Sequence, residues 1–295
     1  MTIKASPQGC PLCGGNCALW LRKHGRTLVR CTLCRFISVI EGVAVDHAGV
    51  SIYESEQHIF QEHGNAAYYL DASNLTSARD KLAWVARYVP PSSRLLDVGA
   101  SFGHFLKAAE DVYRAMGFEL SPQAVAWSRE HFGVNTRIGS IYGPPSDLDG
   151  PFDAVTCWDV IEHVPDAVSA VRSLRMLVRP GGHLFLSTPD AQSAVARLTG
   201  RSWHYLDPIQ HISLFGRRNL VALLEANGFK LESVRALGHH YRVGYIADRL
   251  RHLHGGTGLQ HAARAASALL APFSRRSVFI KLGDVMGIVA RRVDD

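Results

Sequence analysis

Residues 95–103 read Leu95-Leu96-Asp97-Val98-Gly99-Ala100-Ser101-Phe102-Gly103. An apolar strand that ends near an acid, a loop with glycines and the start of a helix follow one another here. This order predicts the first β-loop-α unit of a parallel α/β sheet. Glycines in such a loop let backbone N–H groups approach a ligand closely. A dinucleotide fingerprint that begins at Gly99 would need glycine at position 101, where Ser101 stands, so the loop does not indicate NAD.

A second acid, Glu119, ends the next predicted strand. It lies within the spacing of roughly 20 residues at which a carboxylate binds the hydroxyls of a ribose. The glycine loop and this acid together predict a nucleoside-containing ligand.

Beyond this loop, short apolar runs alternate with amphipathic segments, which predicts parallel βαβ units covered by helices on both faces. The expected strands cover residues 94–98, 113–119, 152–158, 183–188, 230–237 and 284–291. The expected helices cover residues 102–111, 122–131, 167–178 and 218–227, with a turn at Pro180-Gly181-Gly182.

Three ordered motifs resemble those of class I S-adenosylmethionine-dependent methyltransferases. The run from Asp97 to Gly103 has the form of the family's first motif, D-x-G-x-x-x-G. Residues 152–166 are similar to its fourth strand and the following loop, and residues 179–182 resemble the turn before its fifth strand. The resemblance covers roughly residues 94–237. It implies an α/β, Rossmann-like fold with a seven-stranded, mostly parallel sheet that binds S-adenosylmethionine.

The same resemblance implies a set of cofactor-binding residues. Asp97 and Gly99 would border the methionine end, and Glu119 would bind the ribose hydroxyls. Ser140 would lie near the adenine, where many relatives have Asp. Trp158 would flank the cofactor, although a buried core aromatic is the alternative. The full predicted set is Asp97, Gly99, Ala100, Gly103, Glu119, Leu120, Ser140, Trp158 and Asp159.

Two histidines are candidates for the proton acceptor that a hydroxyl substrate needs, because histidine titrates near neutral pH. His163 follows the predicted fourth strand. His211 lies in an aromatic-rich stretch, residues 203–215, which resembles a segment of a bacterial subgroup where a similar Trp, here Trp203, and a Gln-His pair border the acceptor pocket. We favour His211 as the base. For both histidines, a purely structural hydrogen-bonding role is the alternative.

Five of the six cysteines lie within the first 34 residues. Cys10 and Cys13 form one C-x-x-C pair, Cys31 and Cys34 form another, and 17 residues separate the pairs. This spacing is typical of a tetrahedral Zn²⁺ site with four thiolates, which leaves no position for substrate. We therefore predict a structural zinc ribbon, with Cys17 as a spare thiol.

The predicted organisation has three parts: residues 1–50 form the zinc-ribbon module, 51–92 a helical connecting segment, and 93–295 the methyltransferase domain, with a basic helical insertion at about 242–280. The N-terminus lacks the apolar run of a signal peptide, and no stretch reaches the length of a membrane span, so we expect a cytoplasmic protein.

The basic charge of the chain is local. The formal charge is +6, and residues 242–295 contribute nine Arg/Lys against four Asp/Glu, a net +5. Small and apolar residues beside arginines over 259–276 are typical of an interfacial helix, and also of a helix that packs over the sheet. Peripheral membrane contact is thus one prediction for this region, and a packing or solvated helix is the other.

The expected function is methyl transfer from S-adenosylmethionine to a small-molecule or glycan-like acceptor, at a hydroxyl oxygen. Two alternatives stay open at this point. One is an RNA methyltransferase in which the zinc ribbon binds nucleic acid. The other is a protein that binds the cofactor without turnover. Binding of nucleic acid would need basic and exposed aromatic side chains along the module. The basic residues there give this alternative only modest support, so we do not expect nucleic acid as a partner; they are Arg22, Lys23, His24, Arg26, Arg30 and Arg35.

Overall fold

The computed structural model describes residues 9–40, 70–251 and 257–293. Its N-terminal part contains strands β1 (Cys17–Lys23), β2 (Arg26–Cys31) and β3 (Ile37–Val39). A two-residue turn joins β1 to β2, and its residues His24 and Gly25 have φ of 48° and 71°. Positive φ at both positions matches the right-handed twist of a hairpin, which explains the glycine.

The larger part begins with helix α1 (Ser73–Val85). The next elements are β4 (Arg94–Val98), α2 (His104–Ala109), β5 (Arg114–Glu119), α3 (Pro122–Phe132), β6 (Thr136–Ile138), β7 (Phe152–Trp158), α4 (Ala167–Leu177), β8 (Val178–Pro189) and α5 (Ala194–Thr199). The remaining elements are β9 (Ser213–Leu214), α6 (Arg217–Ala226), β10 (Phe229–Ala236), β11 (His239–Arg242), α7 (Val243–Arg251), α8 (Thr257–Leu270), β12 (Ser277–Ile280) and β13 (Val285–Arg292).

Seven strands form the main sheet in the order β10-β13-β8-β7-β4-β5-β6. The five strands from β8 to β6 are parallel, and β13 lies antiparallel between β8 and β10. The central strands are buried because helices cover the sheet. The predicted mostly parallel, seven-stranded Rossmann-like sheet is confirmed.

Two local predictions were wrong. The turn expected at Pro180-Gly181-Gly182 lies inside β8, which begins at Val178. Gly181 adopts a φ of 70°, and the register of β7 with β8 shifts between Phe152 and Ala154, so the strand absorbs the irregular backbone without ending. Helix α2, which was expected to begin at residue 102, begins at His104, because Gly103 has a left-handed backbone.

Helix α1 packs against the main sheet. Trp84 is 2% exposed and makes ring contacts with Trp158 and Phe185. The guanidinium of Arg235, which belongs to β10, lies 4.1 Å from the Trp84 ring centroid. These contacts hold α1 beside the carboxyl end of β7.

Strand β9 joins the N-terminal strands in a four-stranded sheet, β1-β2-β3-β9. Strands β11 and β12 form a separate antiparallel ribbon in the basic region, and β11 contacts α1 and α7. The boundaries at residues 50 and 92 stay predictions. Residues 41–69, which include the first part of the proposed connecting segment, lie outside the described residues. Within the described residues, no helix combines the length and the hydropathy that crossing a membrane requires.

Candidate active site

A cavity of about 890 Å³ opens at the carboxyl ends of β4, β5 and β7. Ligands of open α/β sheets bind at this edge, where the strand order reverses. All of the predicted cofactor-binding residues line the cavity except Gly103. Both histidine candidates, His163 and His211, line it too. The fold therefore brings residues from widely separated parts of the sequence into one site.

Backbone geometry explains the two glycines of the loop after β4. Gly99 has a φ of 73°, and a Cβ added there would lie 2.4 Å from Val160 Cγ2. Gly103 has a φ of 76°, and its Cβ would meet Ser128 and Val134 at 2.9 Å. Gly99 thus keeps the loop close to the cavity, whereas Gly103 allows α2 to pack on α3.

Glu119 lies at the end of β5, and its carboxylate organises the same loop. It accepts hydrogen bonds of 2.9 Å from the N–H groups of Ser101 and Ser121. Burial raises the pKa of Glu119, although these N–H donors act in the opposite direction. Each oxygen keeps a further lone pair, so the carboxylate can accept ribose hydroxyls in addition.

Asp97 lies at the carboxyl end of β4 and is 2% exposed. The Thr156 hydroxyl donates a hydrogen bond of 2.6 Å to its Oδ1. Burial raises the pKa of Asp97 to about 7, which the Thr156 hydrogen bond only partly opposes. A ligand with a cationic amino group in the cavity would favour the charged carboxylate.

Ser140 follows β6 on the opposite side of the cavity. Its hydroxyl accepts a hydrogen bond of 3.2 Å from the N–H of Tyr142. A serine hydroxyl can also donate or accept a hydrogen bond with a ligand. It carries no charge, unlike the Asp that the family resemblance leads one to expect at this position.

Trp158 and Asp159 end β7. Trp158 is 8% exposed and packs edge-on against Phe105, so its ring belongs both to the core and to the cavity wall. Among the described residues, its buried Nε1 has no hydrogen-bond acceptor. Asp159 has a φ of 56° and pairs with Lys81 at 3.3 Å. Burial would raise the pKa of Asp159, yet the Lys81 ammonium holds it at about 2.

His163 and His211 face each other with ring centroids 4.9 Å apart. Nδ1 of His163 donates to the Gln210 carbonyl at 2.8 Å, and Nδ1 of His211 donates to the Tyr205 carbonyl at 2.7 Å. A carbonyl only accepts, so Nε2 is the acceptor nitrogen of each neutral ring. Burial lowers the pKa of His163 to about 3 and lowers that of His211.

Glu162 lies beside these rings and is 1% exposed. The Thr188 hydroxyl donates to its Oε2 at 2.9 Å. Burial and the neighbouring Asp159 raise the pKa of Glu162 well above its usual value. The sequence motif contained Glu162, but nothing in its pattern distinguished the residue from a surface acid.

Other cavity residues escaped the sequence analysis. Lys81 comes from α1, and His239 and Tyr241 come from β11, beyond the motifs that the family resemblance covers. No spacing signal connects these residues with the loop after β4. Trp203 was expected to border the acceptor pocket, but it does not line the cavity. Its buried indole N–H instead donates a hydrogen bond of 3.1 Å to Asp284.

The four predicted zinc ligands converge at the N-terminus. The sulfur atoms of Cys10, Cys13, Cys31 and Cys34 all lie within 4.8 Å of one another. The Sγ distances are 3.6 Å for Cys10–Cys34 and 3.5 Å for Cys13–Cys31. Cys17 is exposed. Four thiols around one point fit a tetrahedral metal.

The cysteine module contacts the segment that carries His211. Strand β3 pairs with β9, which begins two residues after His211. The Cys34 carbonyl accepts hydrogen bonds from Gln192 and Asn219 at 3.3 and 3.1 Å. Lys23 Nζ donates to the Leu206 carbonyl at 2.7 Å. The module therefore supports one wall of the cavity from outside.

Comparisons with known proteins agree with this geometry. A family model described as "Methyltransferase domain" matches residues 70–234. The Ubiquinone biosynthesis O-methyltransferase of Xanthomonas campestris pv. campestris (strain B100) is 31% identical over 185 residues, covering 55% of this chain and 77% of the relative. The protein of the same name from Xanthomonas axonopodis pv. citri (strain 306) is 32% identical over 170 residues, covering 52% and 69%.

A solved structure shows the same fold. It is the Burkholderia thailandensis 1,6-didemethyltoxoflavin-N1-methyltransferase with bound 1,6-didemethyltoxoflavin and S-adenosylhomocysteine, with a TM-score of 0.52 and 15% identity, covering 94% of this chain and 99% of that chain. The loop after β4, the acid at the end of β5 and the cavity between them fit S-adenosylmethionine. The chain therefore belongs to the methyltransferase-domain family and is a class I S-adenosylmethionine-dependent methyltransferase.

Proposed function

We propose that the protein methylates a hydroxyl oxygen of a small molecule. The observation that carries this proposal is the shared cavity, in which the cofactor loop and two neutral histidines with acceptor nitrogens lie together. The relatives named as O-methyltransferases support oxygen as the target. They do not favour the RNA alternative.

The cofactor side of the proposal assigns the ribose hydroxyls to Glu119, the adenine to the region of Ser140, and the methionine end to Asp97 and Gly99. Leu120, Ala100, Trp158 and Asp159 complete this side of the cavity. Gly103 acts through the backbone of the loop. S-adenosylmethionine supplies an electrophilic sulfonium methyl, so the protein gains rate mainly by holding the acceptor oxygen in line with it.

The acceptor side is assigned to His163 and His211. A hydroxyl is a weak nucleophile until its proton leaves, and a neutral imidazole nitrogen is suited to accept that proton. We favour His211 of the two, because burial lowers the pKa of His163 to about 3. A lower pKa makes a ring a weaker base.

We propose that the four cysteines bind one structural Zn²⁺. The convergence of their sulfur atoms supports this assignment. The zinc would fix the two C-x-x-C loops and, through β3, the strand that follows His211. In this role zinc holds the acceptor wall and takes no part in the chemistry.

Peripheral membrane contact belongs to the proposal as well, for an acceptor with a lipid portion. Phe273, Phe279 and Leu282 are exposed, at 46%, 52% and 57%. Arg275 and Arg276 lie beside Phe273, and this combination suits an anionic bilayer surface. Sedimentation with anionic and neutral vesicles tests it: binding only to anionic vesicles is expected, and equal recovery in the supernatant with both would contradict it. A cytoplasmic location stays a prediction.

The function is tested by calorimetric titration with S-adenosylmethionine and NAD⁺, followed by an acceptor screen. The screen pairs each phenol or alcohol with the matching amine and detects the methylated product by mass spectrometry. Binding of S-adenosylmethionine alone, with methylation of hydroxyl compounds, is the expected result. Methylation of the amines only would overturn oxygen as the target. Binding of S-adenosylmethionine without any methylated product would favour a protein that binds the cofactor without turnover. Methylation of RNA would favour an RNA methyltransferase.

A further inference from the structure

Three potential metal ligands meet in the cavity, apart from the cysteine module. A carboxylate oxygen of Glu162 and a ring nitrogen of each of His163 and His211 lie within 4.8 Å of one another. Glu162 and His163 follow β7, while His211 precedes β9, so two separate segments contribute. Two N–H groups, those of Ile212 and Ser213, donate to the Glu162 carbonyl at 2.9 Å and join the segments.

The surroundings of these three side chains fix their orientation. Both histidines use Nδ1–H to bond a backbone carbonyl, which gives each ring the tautomer with its lone pair on Nε2. The Thr188 hydroxyl donates to one oxygen of Glu162. Hydrogen bonds of this kind, from the side of the ligand away from the ion, are typical of metal sites in proteins.

A cation would also resolve an electrostatic problem. The Glu162 carboxylate is buried, and in the part of the chain that the structure describes no Lys or Arg forms an ion pair with it. The nearby Lys81 is paired with Asp159 at 3.3 Å. A buried carboxylate without a cationic partner is costly, and a divalent ion would supply that partner.

We propose that Glu162, His163 and His211 bind a divalent transition-metal ion, with open coordination positions that take the acceptor oxygen. Two imidazoles and one carboxylate favour Zn²⁺, Mn²⁺ or Fe²⁺ over Mg²⁺ and Ca²⁺, which prefer oxygen ligands alone. Three protein ligands with an open position are typical of catalytic sites, in contrast to the closed four-thiolate site of the N-terminal module.

The inference rests on the proposed function and makes it more specific. With the ion bound, the Nε2 lone pairs are used for coordination, so the ion replaces His211 as the group that promotes loss of the hydroxyl proton. The proton leaves to solvent water. The oxygen forms a bond to the methyl carbon, the carbon–sulfur bond breaks, and its electron pair stays on sulfur to give neutral S-adenosylhomocysteine. No oxidation or reduction takes place.

The test uses the full chain loaded with zinc at the cysteine module. Mn²⁺ is titrated first and the free ion is followed by electron paramagnetic resonance, since Mn²⁺ does not favour thiolates. Zn²⁺ is then measured by metal analysis. The wild type is expected to bind a single additional ion per chain. Glu162→Gln and His211→Gln should each weaken the affinity for this additional ion by more than about 10-fold. His183→Gln is the matched control, because His183 pairs with Glu232 outside the cavity.

Two results would overturn the site: the absence of additional Mn²⁺ and Zn²⁺ in the wild type, or equal binding in wild type and the two cavity variants. Titration with S-adenosylhomocysteine shows whether each variant is folded and tests the cofactor assignment separately. Metal binding without cofactor binding would refute the proposed function alone. Cofactor binding and turnover that survive removal of the ion would refute its proposed part in activating the acceptor and leave the proposed methyltransferase function intact.

Discussion

The backbone N–H of Val39 donates a hydrogen bond of 3.0 Å to the carbonyl of Ile212, the residue after His211. This bond crosses from the cysteine module to the wall of the active-site cavity. Ser38 and Ile37 continue the pairing with Ser213 and Leu214. The position of the His211 side chain therefore depends on a strand that lies more than half the chain away in sequence.

Removal of that N–H should impair turnover and leave cofactor binding intact. Val39→Pro deletes the donor on the β9 side of β3. We expect kcat to fall by about 10-fold or more, in line with one lost and unsatisfied hydrogen bond of about 1–3 kcal/mol. Val39→Thr keeps the N–H and serves as the control. Steady-state kinetics and cofactor titration decide the matter, and a proline variant as active as the threonine variant would contradict the prediction.

Loss of the proposed zinc should likewise impair turnover and leave the binding of the cofactor intact. Cys31→Ser removes a buried member of the four-cysteine cluster, so we expect loss of zinc, a fall in melting temperature and loss of turnover. Cys17→Ser is the control, because Cys17 is exposed and outside the cluster. Metal analysis and thermal unfolding provide the readouts. Equal zinc content in both variants would show that Cys31 is not a ligand.

Glu119→Ala should weaken the binding of S-adenosylmethionine. The variant loses the acceptor of the Ser101 and Ser121 N–H groups as well as the proposed ribose contact. Hydrogen bonds to a charged group contribute about 1.5–3 kcal/mol each, so the dissociation constant should rise by about 10- to 100-fold. Glu110→Ala, on the surface away from the cavity, should leave it unchanged. Unaltered affinity in Glu119→Ala would remove the ribose assignment.

His239 should stay neutral in the folded protein until the pH approaches 4. Burial lowers the pKa of His239 to about 4, and the positive charge of Lys81 acts in the same direction. The unfolded chain takes up this proton near pH 6.5, so the free energy of unfolding decreases as the pH falls from 6.5 towards 4. At pH 5 the loss should be about 2 kcal/mol.

His239→Gln should reduce this acid sensitivity. Thermal unfolding at pH 7 and pH 5 compares the variant with the wild type, and nuclear magnetic resonance follows the imidazole of His239 directly. His131→Gln is the control, since His131 is exposed, stacks on the Trp127 ring and hydrogen-bonds the Trp127 carbonyl. Titration of His239 near pH 6.5 would contradict the prediction.

The sequence predicted the order of the central strands because β4, β7 and β8 are mostly apolar, and because Gly99 follows β4 and the helix cap Ser121 follows β5. It also identified the four cysteines, whose sulfur atoms the fold brings within 4.8 Å of one another. It could not predict β9, because a strand of two residues has no periodicity. Lys81 and His239 were missed for a related reason: their place in the cavity depends on how α1 and β11 pack, which no local pattern records.

The two sheets divide the work of recognition between them. In the proposed assignment, strand ends of the seven-stranded sheet bind the cofactor, whereas β9, an edge strand of the four-stranded sheet, follows the segment that carries His211. Under that proposal, an inherited or engineered change in the N-terminal strands alters the choice of acceptor while the methyl-donor site keeps its form. This separation makes the cysteine module a natural place to exchange parts between homologues when a new acceptor is sought.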